Sequence, residues 1–296
     1  MSFRRLAAAA ALIAMTAAPL SAQAPGAPVY PQTARGEVVE EHFGERIADP
    51  YRWLEDDVRN SPQVADWVER QNALTSTYLD ALPARAWFHE RISAFYDYQR
   101  TSTPVKAGER YFYTHNTGLQ NQSPLYVREG LDGPERLLID PNAWAADAAT
   151  ALSGWDVSPD GRYLLYSVQD GGTDWRILKV LVVDTGEVLA DEIRWAKFTG
   201  LDWIGTEGFL YSRFPEPAQG ADFQALNYDQ AVYFHRLGTS QAEDELVYAT
   251  PQDREAGHTA AVTDDGRWAV ITSARGTDAR YEVHAIDLAA RGQAGW

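Results

Sequence analysis

The sequence predicts a mostly β chain, a partial β-propeller of about four blades over 101–296 preceded by a helical segment over 25–100. Three observations predict it. After Thr101 there is no helical period of any length, only short runs of aromatic and β-branched residues. Those runs recur with turns marked by Gly108, Gly161, Gly208 and Gly266, which lie 53, 47 and 58 residues apart. Before Thr101, apolar residues recur instead at helical spacing. A period of about 50 residues made only of strands is the signature of propeller blades. A β-sandwich with coincidental turns is the alternative, but sandwich strands do not recur as a four-strand unit.

The helical segment begins at Ser61, a plausible N-cap, with Pro62 at the first helical position. Val64, Trp67, Val68, Gln71, Tyr78 and Leu82 then form one apolar stripe. After Pro83 a second stripe of the same period runs through Trp87, Phe88, Ile92, Phe95 and Tyr96, and these aromatics are expected in a core. In the β region the clearest unit reads Val157-Ser158-Pro159-Asp160-Gly161-Arg162-Tyr163-Leu164-Leu165-Tyr166. Proline presets φ at the second turn position and glycine tolerates the exit, which suits a type I turn. A later copy reads Val262-Thr263-Asp264-Asp265-Gly266-Arg267-Trp268, and weaker copies follow Gly108 and Gly208. Each unit continues into a second strand, at Leu125 to Arg128, Ile177 to Asp184, Ala231 to Arg236 and Tyr281 to Leu288. The first three units add a short outer strand, at Arg136 to Ile139, near Val188 and at Leu246 to Ala249.

The N-terminus reads as a signal peptide over 1–24. Arg4 and Arg5 make its basic start, Leu6 to Ala18 its apolar stretch, and Leu20 to Ala24 supply small residues for cleavage. A periplasmic or secreted location is therefore expected. The apolar run is too short and too alanine-rich for a convincing membrane span. With no cysteine, the chain has no disulfide, thiolate nucleophile or Cys-ligated zinc. A formal charge of −16 argues against binding a phosphate backbone or an anionic membrane surface. No nucleic-acid or membrane partner is expected.

Searches for chemistry find little. There is no G-x-S-x-G elbow; Gly238-Thr239-Ser240-Gln241-Ala242 lacks the second glycine and reads as a loop. His89-Glu90 begins a zinc motif but reaches Ser93 where the second histidine belongs. The acidic turns at Asp170 to Asp174 and Asp264 to Gly266 lack the spacing and closing glutamate of a calcium loop. No metal, cofactor or catalytic residue is assigned.

Three stretches carry a resemblance. Asp49-Pro50-Tyr51-Arg52-Trp53-Leu54-Glu55-Asp56 resembles the N-terminal signature of prolyl oligopeptidases. Asn116-Thr117-Gly118-Leu119-Gln120-Asn121-Gln122 followed by Leu125-Tyr126-Val127 resembles that family's first blade, and Ser158 to Gly161 with Asp174-Trp175 its second. The resemblance runs in order from about Tyr30 to the end. It implies a two-domain serine peptidase that cleaves short peptides after proline without a cofactor. A seven-bladed propeller would be inserted into an α/β-hydrolase domain bearing a Ser, Asp and His triad, with the N-terminal helices belonging to the hydrolase. This chain would hold the helices and about four blades, with the triad and hydrolase core outside it, and would be inactive alone. Its partners would be proline-containing peptides and the hydrolase domain of the same parent chain. By the same resemblance, Phe198 would line a substrate subsite and Asp174 would face the central cavity. The alternatives are ordinary blade packing for Phe198 and turn capping for Asp174. For the whole chain they are a fragment of an oligopeptidase B-like enzyme, or a periplasmic propeller that only binds partners.

Overall fold

The computed structural model describes residues 28–146, 149–291 and 296, so the signal-peptide segment lies outside the described residues. The chain divides into two compact units, one up to Ile92 and one over Ser93–Trp296.

In the first unit, β1 (Val39–His42) and β2 (Glu45–Ala48) form an antiparallel hairpin. Helix α1 (Pro62–Asp80) starts where the sequence places it, with Ser61 extended at the N-cap and proline at the first position. Its expected stripe is the covered face: Val64 is buried and Trp67, Val68, Gln71, Tyr78 and Leu82 are partly so. The Trp67 indole donates to Thr33 Oγ1 at 3.0 Å. Helix α2 (Arg85–Tyr96) corrects the second expectation, because it buries no residue. Trp87, Phe88, Ile92, Phe95 and Tyr96 are all more than half exposed. Periodicity states which residues share a helix face, not whether anything covers that face.

The second unit is built of antiparallel meanders. Blade 1 contains β3 (Arg100–Thr101), β4 (Val105–Ala107), β5 (Arg110–Asn116), β6 (Leu125–Glu129) and β7 (Glu135–Ile139), with β3 and β4 both pairing β5. A seven-stranded sheet follows: β8 (Ala151–Val157), β9 (Tyr163–Gln169), β10 (Arg176–Val182), β11 (Val188–Ile204), β12 (Gly208–Arg213), β13 (Ala231–Arg236) and β14 (Glu245–Tyr248). It is two blades sharing one strand. The start of β11 is the outer strand of blade 2, pairing β10, and its end is the inner strand of blade 3, pairing β12. Ala196 has partners on both sides, Arg176 and Arg213, and marks the crossing. Blade 4 shows β15 (Ala256–Val262), β16 (Trp268–Arg275) and β17 (Glu282–Asp287). The sheets do not close on themselves, as a partial propeller requires.

The stacking follows from strand alternation. Successive side chains point to opposite faces, so a central blade serves two cores. In β9, Leu164 and Tyr166 pack with Phe112, Leu125 and Val127 of blade 1, while Leu165 packs with Trp203 and Phe209 of blade 3. In β12, Phe209 and Tyr211 face blade 2 while Leu210 faces Ala260, Ala269 and Ile271 of blade 4. Fully burying each such Leu or Phe stabilises by roughly 1.5–3 kcal/mol.

The turn repeats are hydrogen-bonded devices. Gly161 N–H donates to Ser158 O at 2.8 Å, Asp160 Oδ1 accepts from Arg162 N at 3.0 Å, and Ser158 Oγ accepts from Tyr163 N at 3.0 Å. Thr263, Asp265 and Arg267 repeat the pattern. Gly161 has φ of +73°, and a Cβ there would stand 2.7 Å from Ala107 O; a Cβ on Gly108 would meet Asp160 O at 2.8 Å. Adjacent blades therefore touch backbone to backbone at two marker glycines. The third marker needs correction. The left-handed residue of that turn is Gly205, and Gly208 instead opens β12 against the His235 carbonyl.

Candidate functional site

The site begins where β11 changes blades. Trp195 and Phe198 hold φ of 63° and 53°, left-handed values that cost a residue with a side chain roughly 1–3 kcal/mol each. Pairing shifts between Ala196 and Leu201, and the bulge throws the Phe198 ring outward, where it is about half exposed. Between the two bends, the Lys197 side chain turns inward and is buried. Its ammonium sits 3.9 Å from the centre of the Trp175 ring and 5.1 Å from that of Phe214. Trp175 packs edge-on against Trp195 and Phe214, and its indole donates to Asp222 O at 2.7 Å. Burial lowers the Lys197 pKa below the ordinary lysine value, and the Asp174 carboxylate works against that.

The two residues singled out by resemblance adjoin the two partners of this seat. Asp174 precedes Trp175 and acts on the Lys197 charge; Phe198 follows Lys197. The Asp174 side chain is exposed, and the turn before it is tied by Thr173, whose Oγ1 accepts from Trp175 N at 3.1 Å.

Phe198 lines an open cavity of about 300 Å³ between blades 3 and 4. Phe214, Asn227 and Gln230 share its wall with Phe198, and Glu255, His258 and Thr259 stand on the other side. The His258 imidazole is committed. Thr250 Oγ1 donates to Asp253 O, so it accepts from His258 Nε2 at 3.1 Å, which leaves Nδ1 to accept from Ser273 Oγ at 2.8 Å. Burial lowers its pKa, opposed by Asp253 and helped by His284, which agrees with a neutral ring. The cavity offers two phenylalanine rings, amides, hydroxyls and one peripheral carboxylate. That suits an uncharged, partly apolar peptide segment, and the Ser273–His258 hydroxyl–imidazole pair behind its wall is buried.

Two further polar clusters lie elsewhere. His235 is fully buried, with Nδ1 2.7 Å from Asp244 Oδ1 and Nε2 3.0 Å from Asp191 Oδ1. Burial pulls its pKa down, but the two carboxylates together raise it above the ordinary histidine value. Tyr211 donates to Asp244 Oδ2 at 2.5 Å, and the Gly238 N–H donates to Asp191 Oδ1 at 2.5 Å. On the innermost strands, Asp156 accepts the Trp203 N–H of the next blade at 3.2 Å, and Asp202 accepts the Val262 N–H in the same way. Burial, with the Asp202 charge adding to it, pushes the Asp156 pKa up to about 7. Among the described residues no group of His, Cys, Asp and Glu side chains converges as a metal site.

The comparisons with known proteins fit this architecture. The family of the prolyl oligopeptidase N-terminal beta-propeller domain matches residues 31–294. The chain belongs to that family. The prolyl endopeptidase of Elizabethkingia meningoseptica is 33% identical over 288 residues, covering 97% of this chain and 40% of the relative. A structure from a mechanistic study of two prolyl endopeptidases superposes at a TM-score of 0.61 with 49% identity, covering 88% of this chain and 37% of that one. Prolyl oligopeptidase B of Galerina marginata, bound to a 25mer macrocyclization substrate, superposes at 0.71 with 27% identity over 88% of this chain and 40% of its own. The chain spans about 40% of the length of the curated prolyl endopeptidases it matches.

Sequence reasoning missed Lys197, Gln230 and His258. The one signal in reach was a lysine two residues after Trp195 and directly before Phe198, inside a strand. The left-handed turns at Trp195 and Phe198 have no composition cue at all.

Proposed function

We propose that this propeller serves an exported prolyl oligopeptidase, a serine endopeptidase that hydrolyses short peptides after proline. The propeller's role is to present one wall of the peptide site and to limit access. The observation that carries this reading is the Phe198 cavity within a chain that matches prolyl endopeptidases over 97% of its length. In this reading the Ser, Asp and His chemistry comes from an α/β-hydrolase part of the same enzyme. The nucleophile attacks the carbonyl, histidine moves the proton, and backbone donors hold the oxyanion. Phe198 contributes binding contact and Asp174 contributes charge near the cavity. The succession of basic, apolar and small residues at the N-terminus supports export, with cleavage between Ala22 and Pro25.

The test uses the 296-residue chain. It should bind a short proline-containing peptide, followed by tryptophan emission from the Trp175 and Trp195 cluster. Phe198→Ala should weaken that binding about tenfold. The chain should leave the peptide intact and take no label from an active-site serine probe. Labelling of a specific serine, or unchanged affinity in the alanine variant, would overturn the reading.

A further inference from the structure

The left-handed backbone at Phe198 is expensive and has to be held by its surroundings. One buried side chain holds it from the cavity side. Gln230, 3% exposed and one residue before β13, reaches back to the bulge in β11. Its Nε2 donates to Lys197 O at 3.0 Å and lies 3.5 Å from Phe198 O. Its Oε1 accepts the His258 N–H of β15 at 2.6 Å. The amide orientation follows from its partners, since only the oxygen can receive an N–H and only the nitrogen can serve the carbonyls. Room for that oxygen depends on Gly257, where a Cβ would stand 3.2 Å from it. One side chain therefore ties the strained backbone under Phe198 to the opposite wall of the cavity. The inward Lys197 side chain, seated over Trp175, fixes the same segment from its other side.

We propose that Gln230 is a positioning residue: it fixes the Phe198 ring and the His258 wall at one separation and so sets the shape of the peptide site. The proposal rests on the peptide-binding reading above, but its geometry is testable without a peptide. Phe198 replaced by 4-fluorophenylalanine in the full chain gives a ¹⁹F signal at the site. The wild-type background should show one narrow resonance from pH 5 to pH 8. Gln230→Leu should broaden or split it. Gln230→Glu keeps the acceptor for the His258 N–H. Its ionised form cannot donate to the carbonyls, so the signal should be perturbed at pH 8. Protonation near pH 5 restores an O–H donor and should restore the narrow line, a rescue that lost packing alone does not produce. The ionisable groups around position 230 are Lys197 from β11, Glu255 and His258 from the facing wall, and Asp229 with its partner Arg254. All are present in the wild-type pH series, which subtracts their effect. In the peptide titration, Gln230→Leu should bind about tenfold more weakly, as losing a buried hydrogen-bonded bridge implies. A wild-type chain that binds no peptide sinks the peptide reading alone, and the fluorine arm still decides the positioning. Unchanged spectra in both variants, or variants that lose their melting transition altogether, would overturn the proposal, the second because Gln230 would then serve the fold at large.

Discussion

Replacing Asp156 by asparagine should stabilise the propeller at alkaline pH and much less at acid pH. Asp156 sits on β8, half-buried, and accepts the Trp203 N–H from the neighbouring blade. Burial, together with the nearby Asp202 charge, takes its carboxyl from 3.8 to about 7. A carboxyl raised by folding favours the folded state below its unfolded pKa, and that advantage is lost as pH climbs through the folded value. The full shift corresponds to about 4 kcal/mol of destabilisation at pH 8. Solvent reaches a half-buried carboxylate, so about 2 kcal/mol is the working figure. Asparagine keeps an oxygen for the Trp203 N–H and removes the charge. At pH 8 the variant should gain about 2 kcal/mol, or roughly 4–8 °C in melting temperature for a unit of this size. At pH 5 less than half of that gain should remain, because the carboxyl is by then mostly protonated in the fold. Denaturant and thermal unfolding at the two pH values measure it. A gain that is equal at both, or absent at pH 8, would refute the argument that an ionised Asp156 strains the inner strands.

The other expectations concern named contacts. His235→Ala leaves Asp191 and Asp244 buried without their shared partner and should cost about 3–5 kcal/mol in equilibrium unfolding at pH 6. Because folding raises the His235 pKa, that contribution is complete below about pH 6.5 and should fade as pH rises through the folded value, narrowing the gap between variant and wild type. Gly161→Ala places a methyl group 2.7 Å from Ala107 O at a left-handed φ and should lower stability by about 1–3 kcal/mol, read from the denaturant midpoint. Leu165→Ala empties a fully buried position between blades 2 and 3 and should cost about 2–5 kcal/mol in the same assay.

Much of the propeller was legible because its middle strands repeat a strong signal. β9, β12 and β16 are rich in aromatic and β-branched residues and follow their turns closely, so the recurrence at Gly161, Gly208 and Gly266 located them. The inner strands were not legible. β8 reads Ala-Leu-Ser-Gly-Trp-Asp-Val and β15 reads Ala-Gly-His-Thr-Ala-Ala-Val, compositions that a strand search passes over. Crowding explains them: a Cβ on Gly200 would stand 2.8 Å from Ala260 O of the adjacent inner strand. Small residues there are a packing requirement, and they erase the pattern that would announce a strand. At the site, resemblance pointed to Phe198 and Asp174, but no local pattern could show that Lys197 seats on Trp175 or that Gln230 reaches in from the start of β13. Those relations depend on contacts 22 to 33 residues apart in the chain.

The shared strand β11 makes the blade stack mechanically uneven. Blades 2 and 3 are joined through one uninterrupted backbone, hydrogen-bonded to β10 at one end and β12 at the other. The seams on either side, between blades 1 and 2 and between blades 3 and 4, depend mainly on interlocking side chains with a few cross-links such as the Gly108 N–H to Pro159 O bond. Under a pulling force the stack should part at those outer seams while the central pair travels as one plate. The Phe198 cavity lies on the seam between blades 3 and 4 and would open with it, so any widening of that joint changes the room available to a bound segment and pulls on the Gln230 bridge that runs from the bend in β11 to the His258 N–H.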